Sequence, residues 1–168
     1  APLLNGTAAY SYGRQIGGPK TRFSEHLVFH KYFPPSREEA QDGCFCSNAN
    51  AALLQSCWKD NGFREDLTGL EDMELAKRIL TGGGAVHYLP EAVVYHYHHE
   101  TSQQIKRRYE REALALRHII PEIHVSLMDS IGFFIAGVFG DARTALSQRR
   151  LLHVASEIVT FRFLQYYG

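Results

Sequence analysis

Two acids and three histidines bracket the segment from Gly69 to His99: Glu71 and Asp72 open "LEDMELAKRILTGGG", and His96, His98 and His99 close "AVVYHYHH". Acids in the first turn of a helix lie among unpaired backbone N–H groups at the positive end of the helix dipole, so they stay ionised near neutral pH. An ionised carboxylate at the mouth of a site can take the proton of an attacking hydroxyl, which is the work of a general base. Acids also favour first turns for the helix's own sake, so the pair alone leaves both readings open. If a strand runs through the histidines, Val94, His96 and His98 share one face while Tyr95, Tyr97 and His99 share the other. Two imidazoles on one face can help hold a divalent metal. No Cys or His pair elsewhere has the spacing to complete a structural zinc site, so His96 completing a metal or phosphate site built by other segments is the alternative, beside histidines that are simply solvated at a strand end.

The elements that must position these groups can be read from periodicity and punctuation. "GTAAYSYGRQ" reads as an extended opening, and "TRFSEHLVFHKYFPP" as a mixed stretch that Pro34-Pro35 ends. "REEAQDG" reads as a solvated loop. Ser47 is positioned as the N-cap of a first helix, "SNANAALLQSCWKDNG", with Ala51, Leu54 and Trp58 at helical spacing and Asn61-Gly62 as its stop. A second helix follows the turn "FREDLTG", starts at the acid pair, carries Met73, Ala76, Ile79 and Leu80 on one stripe and ends at three glycines. "AVHYLP" and "AVVYHY" read as two short strands broken at Pro90. "TSQQIKRRYEREALALRHII" is a third helix, capped by Thr101 or Ser102 and ended by Pro121, and the remainder reads as helical with a break near Gly140-Asp141.

Composition narrows the class of protein. The 168 residues, 45% of them hydrophobic, suffice for a folded core. Eighteen basic residues balance eighteen acidic ones, which removes the overall charge excess expected of a nucleic-acid binder. Cys44, Cys46 and Cys57 are an odd number without CxxC spacing, which suits reduced thiols and a cytoplasmic location. The sequence does not begin with Met and has no signal peptide, and it reads as a piece of something longer. "VSLMDSIGFFIAGVFG" is the most apolar window, but it is shorter than a membrane span and contains Asp129, so it reads as a packed or interfacial helix.

The order of these pieces resembles the second half of bacterial family 2 glycosyltransferases of the GT-A fold. The resemblance rests on a series: the Asn-Ala segment with its Trp, "GFRED", Glu-Asp at a helix start, a Gly-ended helix, "YLPEAVVYH" and a basic helix. "AAYSYGRQ" before it and "FRFLQYYG" after it also look like family segments, so the likeness spans most of the chain. It implies an α/β fold, the C-terminal part of a nucleotide-diphospho-sugar transferase domain over residues 1–124, with a helical tail over 125–168. It also implies inverting transfer of a sugar from a nucleotide-sugar donor to the hydroxyl of a glycan or lipid-linked acceptor, in cell-surface glycan assembly. Asp72 then resembles the catalytic base and Glu71 its partner. His96 resembles the histidine near a divalent metal, Mg or Mn, and the diphosphate in the full-length enzyme. Asn48 and Asn50 resemble polar positions near the sugar pocket. Arg107 and Arg108 are candidates for diphosphate contact because a guanidinium fork suits phosphate oxygens, with a solvated basic helix face as the plain alternative.

Two departures qualify the likeness. No Asp-x-Asp-type metal motif lies upstream of Gly13, so the nucleotide-binding half is missing, no metal is expected on this chain alone, and the chain is expected to be inactive by itself. Gln104 and Arg107 have the spacing of the processive synthases' Gln-x-x-Arg-Trp motif, but Arg108 stands where Trp is required, which favours addition of single sugars. A non-catalytic scaffold piece and a metal-binding module on His96, His98 and His99 are the rival functions. In the tail, a helix over "LLHVASEIVTFRFLQYYG" gathers Leu151, Val154, Ala155, Ile158 and Phe161 on one side, opposite His153, Ser156 and Thr160. That side is expected to pack antiparallel on the preceding apolar helix, with Arg162 stretching to water or lipid headgroups and the pair offering peripheral contact at the inner face of the cell membrane.

Overall fold

A computed structural model describes residues 2–37 and 43–168, and the loop expected over 37–43 falls mostly outside them. Among the described residues the chain forms three strands and six α-helices, a mixed α/β fold. They divide into two compact units: residues 1–18 with 29–96, and residues 19–28 with 97–168. Helix α1, Phe23–Tyr32, gives its first residues to the second unit and the rest to the first.

In the first unit, strand β1, Tyr10–Gly17, is central, which explains why its side chains are buried on both faces. It pairs antiparallel with β2, Ala51–Leu53, and parallel with β3, Val86–His96. The expected first helix is therefore not formed as such. Asn48–Asn50 is a 3₁₀ turn, Ala51–Leu53 is an edge strand, and only Gln55–Asp60 winds into a helix, α2, capped at Asn61 as the Asn-Gly stop requires. Ladder bonds to β1 overrode a local helical pattern.

Pro90 does not break the strand either. β3 runs through it, and the register slips so that Gly13 faces Leu89 while Arg14 faces Val93, leaving Pro90 to Ala92 as a bulge. A Cβ on Gly13 would run into the Ala92 carbonyl oxygen and the Asn50 amide, so the bulge needs glycine on the neighbouring strand. The strand ends at His96, so the alternation of faces does not extend to His98 and His99.

Helix α3, Glu71–Thr81, follows the sequence closely and closes on its glycines, with Gly83 left-handed at φ +80°. It buries Leu75, Ala76 and Ile79 against Tyr10, Tyr12, Phe29, Phe33, Cys46 and Tyr88, whereas Leu80, expected on the apolar stripe, is exposed.

In the second unit, α4, Ser102–Ile119, starts at Thr101 with a capping box to Gln104. Helix α5, Leu127–Ser147, passes through Gly140-Asp141 without a break. The chain turns instead at left-handed Arg149, φ 57°, where the Arg149 and Arg150 N–H groups return to Leu146 and Ala145. Helix α6, Leu151–Tyr166, then runs back along α5. Ala145 packs with Val154 and Ile158, and Phe134 meets Phe163 and Tyr167. Ala155, expected on the packed side, is exposed. Arg162 does not reach water: it is buried, and its guanidinium grips the buried Asp141 carboxylate through two bonds of 2.7 and 2.8 Å. No described helix is long and apolar enough to cross a membrane.

Candidate functional site

Asp72 is held by backbone from two directions. Its Oδ1 accepts from the Met73 N–H at 2.8 Å, within its own helix turn, and its Oδ2 accepts from the Asn48 N–H at 2.9 Å, from the 3₁₀ turn ahead of β2. The turn is fixed in its own right. The Tyr10 hydroxyl donates to Asn48 Oδ1, Gln15 Nε2 donates to Ser47 Oγ at 2.7 Å, and Asn50 Nδ2 donates to the Ala92 carbonyl at 2.7 Å. Strand β1, the bulge of β3 and the first turn of α3 are thereby tied to one short stretch, Ser47–Asn50.

The residue that delivers the acid pair is strained. Leu70 precedes Glu71 at φ 56°, ψ 25°, left-handed geometry that costs a non-glycine residue about 1–3 kcal/mol and is found where surrounding structure enforces it. Farther along α3, Glu74 is buried and bonds Arg78 at 2.9 Å, and Arg78 donates to the Gly62 carbonyl at 2.7 Å, tying the helix to the turn before it.

Burial pushes the Asp72 carboxyl above the ordinary aspartate range, the Asn48 and Met73 N–H groups pull it back, and the Glu71 charge beside it adds to the rise. Beneath it, Tyr10 is driven well above its usual value, first by burial and then by Cys46, whose own thiol burial pushes up to about 12. Tyr10 and Cys46 are therefore neutral at physiological pH, and Asp72 is the carboxyl among these three, its hold on a proton strengthened by burial. A carboxylate has about four acceptor sites, so the bonds from the Met73 and Asn48 N–H groups do not exhaust it.

The other expected residues are spread more widely. Asn48 and Asn50 lie in the turn that holds Asp72, and Glu71 is its neighbour on α3. His96 is the last residue of β3, in register with Gly17, its ring 5.7 Å from that of Phe29. Arg107 and Arg108 belong to the second unit. Arg107 is exposed, while the Arg108 guanidinium is engaged by Glu100 at 3.0 Å, Glu25 at 3.5 Å and Glu112 at 3.8 Å. The three histidines do not converge: His99 stacks on Tyr97, and His98 Nδ1 lies 2.7 Å from Glu25 Oε1. Among the described residues, the group with ligand atoms close enough to hold a metal ion is Glu25, His98 and Glu100, mutually within 4.8 Å, and His96 is not in it. This group is distinct from His96, the residue expected near a metal held mainly by other segments.

Neither type nor spacing marks Tyr10, Gln15 or Cys46 as part of the site. Alternation in "YSYGRQ" signals a strand, but nothing local marks a tyrosine whose partner lies 38 residues away. Compared with known proteins, the chain matches no family model, no curated protein and no solved structure.

Proposed function

We propose that this chain carries the catalytic-base half of an inverting family 2 glycosyltransferase, the acceptor side of a GT-A fold, acting in bacterial cell-surface glycan assembly. One observation carries the reading: Asp72 is ionisable, partly desolvated, and fixed by the Asn48 and Met73 N–H groups with lone pairs to spare. Asp72 takes the proton of the acceptor hydroxyl as that oxygen bonds the anomeric carbon from the face opposite the leaving group. The bond from that carbon to the donor phosphate breaks, its electron pair leaves with the nucleoside diphosphate, and the configuration inverts. Glu71 raises the basicity of its neighbour. Asn48 and Asn50 order the turn beside the base. The nucleotide pocket and metal aspartates belong to a segment whose motif this sequence lacks.

The test is Asp72→Asn in an enzyme that joins this chain to its donor-binding half. Turnover is expected to fall by about 10²–10⁴-fold. Donor affinity, followed by calorimetry with UDP- or dTDP-sugars and Mn²⁺, is expected to stay nearly constant. If Asp72→Asn keeps more than about a tenth of the activity while Glu71→Gln does not, the base is Glu71.

A second reading, a metal-binding module, has one observation in its favour: the convergence of Glu25, His98 and Glu100. Arg108 weighs against it, because its guanidinium already compensates both glutamates. Zinc titration of the chain and of His98→Ala separates the readings, since only a module built on His98 loses affinity with that change.

A further inference from the structure

The outer side of the α5–α6 hairpin is apolar, uncovered and edged by arginine. On α5, the residues that face α6 include Phe134, Val138, Asp141 and Ala145, and the next residue after each turns about 100° further around the helix. These followers are Ile135, Phe139, Ala142 and Leu146. On α6, Val154, Ile158 and Arg162 face inward, and their followers are Ala155, Val159 and Phe163. Because the helices run antiparallel, both sets of followers point to the same side of the pair. Residues one position earlier on α6 turn the other way and are occupied: Glu157 accepts from the Ser24 N–H, and Phe161 packs edge-on against Tyr109. So α1 and α4 engage this side of α6 within this unit. The other side exposes Phe139 at 73%, Leu146 at 64%, Val159 at 47% and Phe163 at 52%, with Leu152 at 95% beside the turn.

Charge at the hairpin's closed end identifies the occupant. Arg143, Arg149, Arg150 and His153 lie there, and no acid occurs between Ala142 and Ser156. Arg143 and Arg149 are exposed, and Arg150 rests over the Phe23 ring with its centre 5.5 Å away. Apolar side chains that can enter the acyl boundary, next to guanidiniums that stay at headgroup level, match an anionic lipid surface. A protein partner with an apolar patch would have no need of an acid-free arginine end.

We infer that the outer side of the α5–α6 hairpin docks on anionic membrane, with Phe139, Leu146 and Leu152 in the interface and Arg143 and Arg149 at the phosphates. The helices lie along the surface and do not cross it. The inference is independent of glycosyl transfer, since binding is read without donor or acceptor.

The test is flotation of the full chain with vesicles of phosphatidylcholine alone and of equimolar phosphatidylcholine and phosphatidylglycerol. The chain is expected to float with the anionic vesicles, to stay behind with the neutral ones, and to be released by salt. Arg143→Glu and Arg149→Glu should each weaken binding roughly fivefold or more, as an interfacial arginine does. Leu152→Glu and Phe139→Glu should weaken it further while leaving the thermal unfolding midpoint unchanged, because both sites are exposed. Equal flotation with neutral vesicles would overturn the headgroup assignment. Absence of flotation, together with a sedimentation dimer that Phe139→Glu dissociates, would overturn the inference and give this side to a second copy of the chain.

Discussion

Asp72 shows how one residue's chemistry is set by neighbours the sequence does not place beside it. At a helix start alone it would be an ordinary low-pKa acid. Burial and Glu71 move it the other way, and the Asn48 and Met73 N–H groups limit the shift. In the proposed role of base Asp72 must be deprotonated to act, so that proposal expects the activity of an enzyme joining this chain to a donor-binding half to rise with pH along a limb above the normal aspartate range and to level off once Asp72 is ionised. Glu71→Gln removes a neighbouring negative charge and should move that limb to lower pH. A pH profile of kcat/KM for both proteins reads the shift, and a limb that Glu71→Gln moves upward would contradict the electrostatic account. The acid pair was legible in the sequence because first-turn chemistry is local. Its hold was not, because the Asn48 N–H comes from 24 residues away.

At the scale of elements, the α5–α6 hairpin turns on one buried ion pair. Asp141 and Arg162 bond bidentately, and Arg162 also donates to Gln165 at 2.6 Å. Helical periodicity put Arg162 on the packed side, and an isolated arginine there suggests a stem reaching outward. With Asp141 opposite, the charge is matched inside instead. Gly137 makes room: a Cβ there would sit 3.2 Å from the Arg162 Cδ and from the Tyr166 ring. Arg162→Met alone strands a buried carboxylate and is expected to cost about 3–5 kcal/mol, whereas Arg162→Met with Asp141→Leu should come close to the parent stability. Urea unfolding followed by circular dichroism measures both, and a double variant as unstable as the single one would argue that the pair does more than neutralise itself. The same pair explains the absent break at Gly140-Asp141, since Asp141 is needed on a continuous helix to meet Arg162.

Over the whole molecule, charge neutrality and exposed apolar surface act together. With 18 charges of each sign and an isoelectric point near 7.3, little repulsion separates copies of the chain at neutral pH. Light scattering is expected to peak near that pH, to fall on either side of it, and to drop on addition of mild detergent; scattering indifferent to detergent would remove the apolar hairpin from the cause. The sequence by itself determined what short-range chemistry controls: the start and end of α3, the start of α4 at Thr101 or Ser102, the presence of β1, the antiparallel tail and the balance of charge. Only the tertiary structure decided that Ala51–Leu53 pairs as an edge strand, that Pro90 to Ala92 bulge out of a continuous strand, that Arg162 is paired inside, and that Tyr10, Asn48 and Asp72 meet. Caps and stops are satisfied within a few residues of themselves, so their signals are written locally. Ladder bonds, ion pairs and shared hydrogen bonds take partners from distant segments, and a competing local preference gives way when those partners bury a backbone or a charge that would otherwise be left unsatisfied.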